Sequence, residues 1–233
     1  MTPGSSSVGS SSGRQLLLDF PRIDPAQRPL IEAAPWRQAL AAIRRWRDWP
    51  EQQLALTGEP ASGRTRLLRA WASDAGAALV TGADLAAADI DEIGRLSISA
   101  LAVDDADRCV DGRKLLAAIN LCRDRKAPVL LSGPAEPSGW FDWPGDLRSR
   151  LQAMPVAPIG ALDEETLALM LIEECARRFM VLPDDSAAYL AQRVERSWAS
   201  IGLLADEIER SPDKASSPRN ARNVLISLGI DAG

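Results

Sequence analysis

Gly58, Glu59, Pro60, Ala61, Ser62, Gly63, Arg64 and Thr65 follow a pattern of glycine, four residues, a second glycine, a basic residue and a hydroxyl residue. That spacing suits phosphate chemistry. Glycines let backbone N–H groups close around oxyanions, and a helix beginning there adds the positive end of its dipole. Thr65 can offer its hydroxyl to Mg2+, and Arg66, next in the first helical turn, completes the candidate nucleotide-binding set. Arg64 stands where lysine is usual. Its planar fork pairs with phosphate but does not imitate the compact ammonium that follows charge toward a transferring phosphoryl group, so the pattern predicts binding with inefficient hydrolysis. The plainer alternative is a glycine turn joining a strand to a helix.

A second constellation is the apolar run Leu101, Ala102, Val103 ending in Asp104 and Asp105. A parallel sheet gathers its ligands at the carboxyl ends of its strands. There Asp104 would hold Mg2+ through water and Asp105 would orient an attacking water, the roles of a Walker B pair. On their own, two aspartates at a strand end are usually a turn or a helix cap. The chain has no histidine among its 233 residues, which excludes a histidine base or a histidine-bound metal. A net charge of -5 makes it a poor autonomous ligand of DNA, so any DNA is reached through a partner. Cys109, Cys122 and Cys175 lack metal-site spacing and read as buried thiols of a reducing cytoplasm.

The elements that must position these residues are visible as apolar runs alternating with helical stretches. Runs at 53–58, 77–82, 100–105 and 127–133 read as buried strands, with 155–159 as a possible last one; 36–47, 65–76 and 111–125 carry helical spacing. This predicts an α/β domain over 31–160, with a five-stranded parallel sheet covered on both faces. From 161 to 233 the pattern is helical only. Asp163, Asp184 and Pro218 mark helix starts, which predicts a small all-helical lid with no further domain after it. Residues 1–30 read as a flexible arm with neither a secretory signal nor a membrane span. The tryptophans read as packing residues without a site role, except that Trp140 and Trp143 could shape a partner surface.

Taken together, the phosphate loop with Arg64, the segment 103–108 (VDDADR), the segment 146–151 (DLRSRL) and the helical end resemble the AAA+ domain of the replication initiator DnaA. They resemble its short relatives, the Hda family, more closely. The resemblance implies an AAA+ P-loop core followed by a helical lid, binding ADP or ATP with Mg2+, and ADP serving as a structural ligand. It implies that Arg150 is an arginine finger reaching into a neighbouring subunit's ATP, so that hydrolysis belongs to the partner DnaA. The sensor position after the fourth strand carries Ser132, with Pro134 where an acidic residue is expected. At the lid's sensor position the arginine is replaced by Ala199, leaving Arg196 one turn earlier as a substitute.

In the arm, Gln15, Leu16, Leu18 and Phe20 match the sliding-clamp-binding peptide, in which glutamine hydrogen-bonds beside a pocket filled by leucine and an aromatic ring. The alternative is an arm whose leucines fold back on the domain. The expectation is therefore a cytoplasmic negative regulator of replication initiation. Its partners would be the clamp and DnaA, with a homodimer possible, and it would be held at the nucleoid through the clamp. An autonomous ATPase of helicase-loader type and a clamp-bound adaptor for another partner remain as alternatives.

Overall fold

The computed structural model describes residues 33–95, 98–140 and 145–230. After a tight helical turn at Ala34–Trp36, α1 (Arg37–Arg44) leads to β1 (Gln53–Thr57), the phosphate loop and α2 (Arg64–Ala75). β2 (Ala78–Thr81), α3 (Gly82–Ala87), α4 (Ile90–Arg95) and β3 (Leu101–Asp104) follow. Then come α5 (Gly112–Asp124), β4 (Val129–Gly133), α6 (Gly145–Ala153) and β5 (Val156–Pro158). The remainder is helical: α7 (Glu164–Arg177), α8 (Asp184–Ala191), α9 (Trp198–Arg210) and α10 (Pro218–Ser227).

The five strands form one parallel sheet in the order β2-β3-β4-β1-β5, as the alternation of apolar runs and helices predicts. Side chains alternate between its faces. Leu54, Leu56, Ala102 and Leu130 join α1 and α2 on one side. Ala55, Leu101, Val103, Val129 and Leu131 join α5 and α6 on the other. The first cluster continues without a break through Leu167, Leu171, Leu190, Trp198 and Leu204 of the helical segment, so that segment and one sheet face share a core.

One expectation needs correction. The run 77–82 is not a buried strand: β2 lies at the sheet edge with β3 as its one partner, and Leu79 is 44% exposed. A continuous apolar run cannot separate an edge strand from a central one, because pairing partners are set by the fold. The short helices α3 and α4 before β3 were also not specified by the sequence pattern.

Helix ends follow local chemistry. Gly76, in left-handed conformation, closes α2. The Asp163 carboxylate accepts the backbone N–H of Thr166 at 2.7 Å to cap α7. Ser197 and Ser217 cap α9 and α10 in the same way.

Candidate functional site

The sheet order puts the carboxyl ends of β3, β4 and β1 side by side, which brings Asp104, Ser132 and the phosphate loop together. Within the loop, Ala61 (φ 64°) and Gly63 (φ 90°) take left-handed conformations that curl the chain before α2. A side chain on Gly63 would strike the Trp36 ring at 2.6 Å, so glycine is required there by both backbone and space. The Trp36 indole N–H donates to the Ser62 carbonyl at 2.8 Å from beneath the loop. Among the described residues, the Ser62 hydroxyl and one Arg64 Nη have no hydrogen-bond partner although both atoms are buried. Unsatisfied buried donors beside a helix N-terminus suit an oxyanion, and the loop fits a nucleotide phosphate on that ground.

Ser132 links the Asp104 carboxylate to the Asp105 backbone. Its hydroxyl donates to Asp104 Oδ1 at 2.7 Å and accepts the Asp105 backbone N–H at 3.0 Å. Asp105 itself is left-handed (φ 46°), a conformation aspartate tolerates better than most residues. Its carboxylate pairs with Arg64 at 3.3 Å, and the Arg64 side chain is only 12% exposed. Arg108 approaches the other Asp105 oxygen at 3.7 Å. The carboxylate that would orient an attacking water is thus held by the arginine that replaces the usual lysine. Burial raises the neighbouring Asp107 carboxyl above its ordinary value, with the Asp105 charge adding to the effect. No three such acidic or thiol groups converge among the described residues, so Mg2+ held by Thr65 and Asp104 would draw its remaining ligands from the nucleotide and water.

The other candidates lie apart. Half-buried Arg150, on α6, lines a cleft of about 110 Å³ with Pro50, Glu51, Gln53, Arg123 and Pro155, at the amino end of β1. It forms no ion pair with a described residue, and Asp146 does not hold it. Arg196 is 62% exposed and lies 3.8 Å from Glu164 at the start of α7. Trp140 packs its ring on Gly133 and donates to the Ala135 carbonyl at 2.8 Å, so it supports the end of β4. Gln15, Leu16, Leu18, Phe20 and Trp143 lie outside the described residues.

Two residues with no role in the sequence reading touch the loop or the first turn of α2 behind it. Trp36, read there as packing alone, carries the hydrogen bond to Ser62. Glu173 of α7 pairs with Arg66 at 3.1 Å, both largely buried. Only contact across distant sequence gives them this place; Pro35 at a helix start was the one local hint.

No family model matches the chain, and no curated protein matches it significantly. Solved structures do match in shape. Domain III of the Thermotoga maritima replication initiation protein DnaA superposes with a TM-score of 0.67 at 17% identity, over 84% of this chain and 91% of that one. AMPPCP-bound DnaA from Aquifex aeolicus gives 0.65 at 16% identity, covering 89% and 72%. The Thermotoga maritima RuvB Holliday junction branch migration motor gives 0.61 at 18%, covering 85% and 68%. The five-stranded parallel sheet, its loop after β1 and the helices that follow β5 have the AAA+ fold.

Proposed function

We propose that this chain is a nucleotide-binding regulator of replication initiation, which docks on the sliding clamp and promotes hydrolysis of ATP bound to DnaA. The observation that carries the reading is the place of Arg150. It lies beside Gln53, the first residue of β1, whereas the chain's own phosphate loop follows the last residue, about 13 Å farther along an extended strand. From there its guanidinium can serve another molecule's nucleotide but not its own. A guanidinium delivered in trans stabilises charge on the transferring phosphoryl group, an effect worth about a thousandfold or more.

The loop at 58–65, with Arg66 behind it, takes ADP or ATP. Ser62 and Arg64 would meet the phosphates, and Thr65 and Asp104 would hold Mg2+, which would supply charge neutralisation. With Asp105 engaged by Arg64, the water-orienting carboxylate is drawn away from chemistry, and Pro134 offers no acidic group after β4. ADP is then a ligand that stabilises the folded chain by mass action. Gln15, Leu16, Leu18 and Phe20 supply the tether to the clamp. The resemblance in sequence to the Hda family and the likeness in fold to DnaA support this assignment.

The purified chain should bind ADP by calorimetry and turn over ATP negligibly. Sustained turnover without DnaA would contradict the reading in favour of a helicase-loader-like motor. Gln15→Ala should weaken retention on DNA-loaded clamp while leaving ADP binding intact; equal retention would remove the tether from the account.

A further inference from the structure

Trp36 and Trp198 stack with ring centroids 6.0 Å apart and planes 8° from parallel, and they are 1% and 3% exposed. Trp198 is the first residue of α9, in the helical segment. Trp36 precedes the sheet, touches Gly63 and donates to the Ser62 carbonyl. A second link runs beside the first. Arg66, one residue past Thr65, pairs with Glu173 of α7 at 3.1 Å and lies 5.5 Å over the Trp36 ring.

The phosphate loop is therefore fastened to the helical segment by an aromatic stack and an ion pair, both shielded from water. Such contacts keep their strength where exposed ones are screened.

We infer that the Trp36–Trp198 stack and the Arg66–Glu173 pair form a built-in brace that sets the angle between helical segment and phosphate loop.

The brace is tested on the full chain by amide hydrogen exchange without added nucleotide. Trp198→Ala should speed exchange across 58–66 by about tenfold while β4 amides keep their protection. Trp198→Phe, which retains a ring, and Glu173→Gln, which removes only the charge, should give smaller increases in the same segment. These two milder variants decide the matter if Trp198→Ala does not fold. Wild-type exchange at 58–66 in both would overturn the brace.

Discussion

Ser132 is buried between two aspartates that carry much of the candidate chemistry, and its hydroxyl satisfies both Asp104 Oδ1 and the Asp105 N–H. Ser132→Ala would remove the shorter of two hydrogen bonds to a buried carboxylate oxygen, leaving it only the Asp105 backbone N–H at 3.2 Å, and should destabilise the fold by about 1–3 kcal/mol in urea unfolding. A loss below about 0.5 kcal/mol would show that water replaces the hydroxyl. The thiols give a second check at this scale. Burial pushes Cys122 up to about 12 and Cys175 up to about 11, and raises Cys109 as well, so little thiolate forms near neutrality. Native protein should resist a thiol reagent at pH 8 until it unfolds; fast labelling of the folded chain would contradict that burial. The placement of Asp104 at the end of β3 and of Thr65 at the start of α2 was legible in the sequence, because local spacing marks a strand end and a loop–helix junction. Trp36 was not, because its bond to Ser62 joins a turn to a loop 26 residues away.

At the scale of elements, the loop–helix junction is the most constrained. Gly63→Ala meets a left-handed backbone penalty of about 1–2 kcal/mol and displaces the Trp36 ring as well, so urea unfolding should register a loss at least that large. The cap of α7 gives a pH-dependent case. Hydrogen bonds from Thr166 hold the Asp163 carboxyl below its ordinary value. A lowered folded value means that this stabilisation is complete above the unfolded value of about 3.9 and is lost as pH falls through the lower folded one. Asp163→Ala should cost about 1 kcal/mol at pH 7, and its difference from wild type should shrink toward pH 2. A gap that persists unchanged in acid would mean that the carboxylate is not the source. The strand runs around 53–58, 100–105 and 127–133 could be read as β1, β3 and β4 because each is apolar and bounded by turn residues. The exposure of β2 could not, since edge position depends on strand order.

Across the whole molecule, an identity of 16–18% to the DnaA and RuvB structures accompanies TM-scores of 0.61–0.67. Apolar periodicity and helix caps survive when surface residues drift, so the class of fold was readable while the packing of helical segment on phosphate loop was not. That packing is built from Trp36, Trp198, Arg66 and Glu173, whose types alone announce nothing. Arg150 is the reverse case: the segment 146–151 drew notice in the sequence, and the fold then set its side chain at the opposite end of β1 from the chain's own phosphate loop. Among the described residues no helix is long and apolar enough to cross a membrane. The central claim is that this arginine acts on a nucleotide held by another protein. It is tested most directly by single-turnover hydrolysis of ATP preloaded on DnaA, with DNA-loaded clamp and either the wild-type chain or Arg150→Ala. The account predicts clamp-dependent acceleration by the wild type and loss of at least about a hundredfold of it in the variant, with ADP binding unchanged. Equal acceleration by both, or none by the wild type, would contradict it.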